Sequence, residues 1–116
     1  VRFIESNLFE NIQEQKFNII VSNPPYIRSN VINNLPKQVQ NEPHLALDGG
    51  EDGLKFYKKI IEQSCNYIEN GYLILEIGYD QKEELTKLIK ADKRYELVKT
   101  KKDLGDNDRI VVVKKV

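Results

Sequence analysis

Residues 17–30, FNIIVSNPPYIRSN, begin as an ordinary strand and end in a corner that a strand does not need. Phe17, Ile19, Ile20 and Val21 form a compact apolar run, the pattern of a strand buried on both faces of a parallel sheet. The run stops at Ser22-Asn23-Pro24-Pro25-Tyr26. A residue before proline is pushed out of the helical region, so Asn23 is expected to stay extended and to project past the sheet edge. Pro24 and Pro25 carry no N–H, which leaves the corner rich in carbonyl acceptors. Asn23 Oδ1 and the Pro24 carbonyl are then two fixed acceptors, with Tyr26 as a flat wall beside them. Ligands of open α/β sheets bind at the carboxyl ends of the strands, where this corner falls. Two acceptors and an aromatic face suit a planar NH2 group on an sp2 carbon, either an amide or an exocyclic base amine. A stiff turn alone would need one proline and neither flanking residue.

Outward from the corner, strand and helix patterns alternate. Residues 1–4 read as a short strand, and residues 27–52 as a long irregular stretch of a length that usually marks a functional loop. A short helical turn is expected within residues 30–40, limited by Pro36. From Gly53, the residues Leu54, Tyr57, Ile60, Ile61, Ser64, Cys65 and Ile68 recur at helical steps. They predict a helix with Asp52 as N-cap and Asn70-Gly71 as its stop. Residues 72–77, YLILEI, read as a strand, and Gly78 lets the chain turn. Asp80-Gln81-Lys82-Glu83 has the form of a capping box, opening a helix whose buried stripe is Leu85, Leu88 and Ile89 and which ends near Asp92. Residues 95–100 and 109–113 read as strands around a polar loop at 101–108. The sum is an α/β layer fold, parallel in its middle, with a hairpin-like end.

At 116 residues, with 40% hydrophobic and 31% charged, the chain is sized for one compact core. Eighteen Lys plus Arg balance 18 Asp plus Glu, so no overall positive field draws it to nucleic acid or to an anionic membrane. No apolar run approaches the roughly 18–20 residues that span a bilayer; a soluble, cytoplasmic protein is the expectation. The single Cys65 rules out an internal disulfide and a cysteine zinc site, and no metal is expected. Its helical spacing from Ile61 and Ile68 marks it as a small core residue. Val1 opens directly into a strand pattern, so the chain is expected to continue a longer one.

The NPPY corner after an apolar strand resembles the signature of methyltransferases that use S-adenosylmethionine to methylate planar amino groups. EPHLALDGGEDGLKFY at 42–57, LEIGY at 75–79, SNLFENI at 6–12 and DLGDNDRIVVV at 103–113 resemble the HemK-type protein-glutamine methyltransferases, which act on peptide chain release factors. The resemblance covers essentially the whole chain. It implies a Rossmann-like class I methyltransferase fold with strand order 3-2-1-4-5-7-6, the seventh antiparallel. Residues 1–4, 17–22, 72–77, 95–100 and 109–113 would be strands three to seven. The first two strands, the glycine-rich cofactor turn, the ribose-binding acid and the N-terminal helical domain have no counterpart here, so residues 1–116 correspond to a C-terminal portion of the catalytic domain.

For the site, the resemblance implies that Asn23, Pro24, Pro25 and Tyr26 form the catalytic and substrate-binding corner for the glutamine of a Gly-Gly-Gln tripeptide. Asn7, Leu8 and Asn23 would meet S-adenosylmethionine. Most relatives carry Asp at the position of Asn7 and often an aromatic at that of Leu8. Glu42 and residues 48–52 match a segment close to the family's active site, though they equally suit ordering the loop and capping the next helix; His44 suits a structural or solvent role. The expected partners are peptide chain release factors, with no membrane or direct nucleic-acid contact, and the strand at 17–22 is expected to expose an edge that favours self-association. An adenine methyltransferase acting on DNA or RNA and a non-catalytic interaction fragment are the alternatives.

Overall fold

The computed structural model describes residues 3–13, 15–35, 37 and 43–116. Strand β1 (Phe17–Ser22) leads through a 3-10 turn (Ser29–Asn34) and a one-turn helix α1 (His44–Leu47) to helix α2 (Lys55–Ser64) and strand β2 (Ile68–Glu76). Helix α3 (Lys82–Ala91) and strands β3 (Tyr95–Lys102) and β4 (Asp108–Lys115) complete the chain. β1 and β2 are parallel, and β4 inserts antiparallel between β2 and β3, giving the order β1-β2-β4-β3. This is the 4-5-7-6 half of the expected methyltransferase sheet, with its last strand reversed.

The core lies on one face of that sheet. Leu73, Leu75 and Ile77 alternate inward along β2 and its end, and meet Val111 and Val113 of β4. Phe56, Tyr57, Ile60 and Ile61 of α2 and Leu85 and Ile89 of α3 cover them, each helix presenting one apolar stripe as its periodicity requires. Cys65 is buried in this cluster, as its spacing indicated. The opposite face is bare at β1: Ile19 is 57% and Val21 71% exposed. The apolar run of β1 therefore is not buried on both faces here. Among the described strands β1 is an edge, paired only with β2.

Three local expectations are corrected. Phe3 and Ile4 lie in no strand, and Val1 and Arg2 fall outside the described residues. The helix from residue 55 stops at Ser64 rather than running to Asn70-Gly71. Ile68 instead begins β2 opposite Phe17, and four steps of β2 then face two of β1, because Ile19 pairs with Tyr72. Asn70 takes a left-handed backbone, φ 49°, which an asparagine tolerates. The Asn-Gly pair thus makes a bulge in a strand, not a helix stop. Finally, Asp80-Gln81-Lys82-Glu83 is no capping box: Gln81 occupies the cap position without a side-chain bond to the helix backbone, and Asp80 pairs with Arg28 at 2.7 Å.

Candidate active site

The corner begins where β1 ends. Pro24 is buried, Pro25 and Tyr26 are half-buried, and Asn23 is exposed. Among the described residues, neither the Asn23 side chain nor the Pro24 carbonyl takes part in a hydrogen bond. Both acceptors anticipated from the sequence are thus free of protein donors. The backbone on the far side of the corner is heavily tied. Ile27 bridges in parallel to Asp48, donating to the Leu47 carbonyl at 3.1 Å and accepting from Gly49 at 2.8 Å. Asp48 Oδ1 accepts from the Ser29 hydroxyl at 2.6 Å and from the Gly50 N–H at 2.9 Å.

Two glycines let this loop close on Tyr26. A Cβ at Gly49 would stand 2.6 Å from the Tyr26 Cα. One at Gly53 would stand 2.6 Å from the Tyr26 carbonyl oxygen, and the residue itself sits at φ +77°. The LALDGGEDGL segment is therefore a clamp on the corner. Asp52 orders the loop, accepting from the Leu54 N–H at 2.9 Å and pairing with Lys58 at 3.0 Å, but it is not the expected N-cap: α2 begins at Lys55, and Leu54 takes the cap position. Glu42 lies outside the described residues, as does the side chain of His44, the first residue of α1.

Gln81, absent from the sequence-based site, is the hub of this arrangement. It is 1% exposed. Its Nε2 donates to the Tyr26 carbonyl at 3.0 Å and to the Gly53 carbonyl at 3.2 Å, and its Oε1 accepts from the Gly78 N–H at 2.9 Å. At the other end of Tyr26, Arg109 Nη1 donates to the phenolic oxygen at 3.3 Å. Asp103 holds Arg109 through Oδ2 at 3.2 Å. The Asn107 N–H, foremost, and the Arg109 guanidinium hold the Asp103 carboxyl below the usual carboxylate range, so this pairing persists above that range and is lost as pH falls through the lowered value. Nearby, Tyr57 donates to the Glu76 carbonyl at 2.6 Å, and burial pushes its phenol up.

The two prolines stand between two cavities. One, of about 580 Å³, is lined by Glu5, Ser6, Asn7, Leu8, Asn11 and Ser22 together with Pro24, Pro25 and Phe56. The other, of about 200 Å³, is lined by Asn23, Pro24, Pro25, Tyr26, Ile27, Ala46 and Leu47. The structure therefore brings Asn7 and Leu8 to the same wall as the corner, while Asn23 and Tyr26 line the far side. Leu8 has φ 55°, an uncommon conformation for a bulky residue. The Ser6 hydroxyl donates to the Leu8 carbonyl at 2.9 Å and accepts from the Asn11 N–H at 2.8 Å, which closes this turn. The larger cavity has the size of a small-molecule site, with apolar walls from Leu8, Pro24, Pro25 and Phe56 and a polar rim from Glu5, Ser6, Asn7, Asn11 and Ser22. That lining fits a nucleoside-like group.

Phe56 and Arg109 were missed for a physical reason: one falls outside the helical stripe read from the sequence and the other reads as a strand start, and each reaches the corner only through the tertiary fold. For Gln81 a direct check exists. Gln81→Met keeps the length but leaves three backbone groups unpaired, those of Gly53 and Gly78 buried and that of Tyr26 partly so. At about 1–3 kcal/mol for each orphaned group, partly relieved by water, a loss on the order of 3 kcal/mol is expected in denaturant unfolding. A loss below about 1 kcal/mol, the worth of one ordinary hydrogen bond, would show that the hub is dispensable.

The family model described as Eco57I restriction-modification methylase matches residues 2–78, a span that contains the corner and the glycine clamp. The release factor glutamine methyltransferase of Fusobacterium nucleatum is 42% identical over 118 residues, covering 99% of this chain and 33% of that protein. Its counterpart in Agrobacterium fabrum is 41% identical, covering 97% of this chain and 39% of that protein. The ribosomal protein uL3 glutamine methyltransferase of Francisella tularensis is 48% identical over 82 residues, covering 70% of this chain and 26% of that protein. The chain thus spans about a third of the length of the curated relatives it matches. With a sheet of the methyltransferase order and a match across its first two-thirds, the chain belongs to this methylase family and has the HemK-type protein-glutamine methyltransferases as its relatives.

Proposed function

We propose that the chain is the C-terminal portion of the catalytic domain of an S-adenosylmethionine-dependent enzyme. Its substrate is the side-chain amide nitrogen of the glutamine in the Gly-Gly-Gln motif of peptide chain release factors. The observation that carries this reading is the pair of unpaired acceptors, Asn23 Oδ1 and the Pro24 carbonyl, at a proline wall between two cavities. The names of relatives that match nearly the whole chain point to the same substrate.

An amide nitrogen is a poor nucleophile because its lone pair is delocalised into the carbonyl, so positioning dominates. Asn23 Oδ1 and the Pro24 carbonyl accept the two amide N–H groups and fix the nitrogen at the wall. Their dipoles also favour positive charge developing there. Pro25 adds no competing donor, and Tyr26 orients the amide plane. No side-chain base is required, since the alkylated nitrogen is acidic enough to release its proton to water. On the other side of the prolines, Asn7 and Leu8 hold the adenine end of the cofactor and Phe56 extends the apolar wall, while Asn23 lines the amide side. When bound, S-adenosylmethionine supplies an electrophilic methyl group. Its main glycine-rich binding turn belongs to the family's first strand, which this chain does not carry. The reading brings with it a cytoplasmic location, where release factors act.

The second reading is adenine methylation of DNA or RNA; its support is that the matching family model is described as a restriction-modification methylase. The balance of 18 acidic and 18 basic residues and the glutamine-methylating relatives weigh against it. The two are separated in the full-length polypeptide that carries this segment. It is expected to methylate a release factor bearing Gly-Gly-Gln and to ignore the same protein with glutamate there, because a carboxylate offers no N–H. Equal labelling of both proteins, or labelling of adenine in DNA instead, would favour the second reading.

Asn23→Ala in that polypeptide should lower turnover by about 10²-fold, as for loss of one pre-organised polar group, with a smaller effect on cofactor affinity. Near-normal turnover would remove Asn23 from the site. The open side of β1 generates a further expectation for the 116-residue chain by itself. Its exposed Ile19 and Val21 and unpaired edge favour association with a second copy. Sedimentation should show mass rising with concentration, reduced by Ile19→Lys with Val21→Lys; a strict monomer at all concentrations would contradict it.

A further inference from the structure

The corner is held at both ends of Tyr26, and the second hold has no assigned role. We infer that Arg109 is a positioning residue for methyl transfer, fixing the Tyr26 ring against the corner through its hydroxyl; this rests on the reading of the corner as an amide site. Because β4 runs antiparallel, its first residues rather than its last lie at the carboxyl ends of β1 and β2. The Ile77 N–H donates to the Arg109 carbonyl at 2.8 Å, which fixes the arginine backbone just past the end of β2.

The side chain is then aimed by its neighbours. Asp103 Oδ1 is occupied by the N–H groups of Gly105 at 2.9 Å and Asn107 at 3.0 Å. Oδ2 accepts from Arg109 Nε and Nη2, each at 3.2 Å. That leaves Nη1 for the Tyr26 oxygen and the Ile77 carbonyl, both at 3.3 Å. A planar fork can serve all these partners at once, whereas a lysine ammonium cannot. With Gln81 on its carbonyl and Arg109 on its hydroxyl, Tyr26 is fixed along its whole length. Since the phenolic oxygen accepts from Arg109, its own proton points away from the guanidinium and is left to donate elsewhere.

The test is a double-mutant cycle in the full-length polypeptide, comparing wild type, Arg109→Gln, Tyr26→Phe and the double variant on the Gly-Gly-Gln substrate. Arg109→Gln is expected to lower kcat about tenfold, the effect of losing one hydrogen bond from a charged donor. KM for S-adenosylmethionine stays unchanged, and no further loss occurs in the Tyr26→Phe background. Equal fractional losses in both backgrounds would make Arg109 a structural partner of Asp103 alone and overturn the inference. A second measurement needs no substrate. With tyrosine rings 13C-labelled and the Tyr26 signal identified by its disappearance in Tyr26→Phe, Arg109→Gln should shift and broaden that signal and leave the Tyr57 signal in place. An unmoved Tyr26 signal overturns the inference whatever the activity. Should the wild type methylate no glutamine while the Tyr26 signal still responds, the amide reading fails and the Arg109–Tyr26 coupling stands.

Discussion

One buried primary amide organises the carboxyl end of this sheet. Gln81 offers two donors and an acceptor, and spends them on backbone groups of three segments distant in sequence: Tyr26, Gly53 and Gly78. None of those groups belongs to a regular ladder, and at such burial each would otherwise be an orphan. A fully satisfied network of this kind rigidifies what it joins. The corner after β1, the glycine clamp and the exit of β2 are thereby tied to one another beside the Asn23 and Pro24 acceptors.

Around this hub the elements divide the work. Consecutive residues of α2 serve different ends: Phe56 lines the larger cavity, while Tyr57 donates to the Glu76 carbonyl and locks the helix to the end of β2. The reversal of β4 lets the chain's last strand contribute Arg109 to the same edge. The prolines contribute by what they lack. With no N–H at two successive positions, the partition between the cavities has no backbone donors to compete for the acceptors beside it.

Strand β1 and its abrupt end were legible because an apolar run cut off by Asn-Pro-Pro is a local signal, and the structure keeps those bounds. Strand order was accessible only through the family resemblance, since hydrophobic period reports which face is buried and not which strand lies beside which. Ile68 misled because its position suits both a helix stripe and a strand, and its partner Phe17 lies far away in sequence. Gln81 misled in the same way. Its neighbours spell a local cap, while its true partners come from Tyr26 and Gly53. Arg109 read as the start of a strand, and it lies one residue inside β4; only the antiparallel return turns it toward Tyr26. Around the corner, what was legible is local stereochemistry, and what was not is the set of partners that tertiary contact brings to it.

The clamp of Gly49 and Gly53 on Tyr26 changes where this protein is vulnerable. Neither residue carries a side chain that could serve a substrate, yet a single added carbon at either would collide with the backbone of Tyr26. Steric exclusion at these two positions fixes the corner as firmly as any bond does. A substitution that adds nothing but bulk at Gly49 or Gly53 is therefore expected to displace the corner as surely as one that removes a polar group from it, because what these positions supply is empty volume.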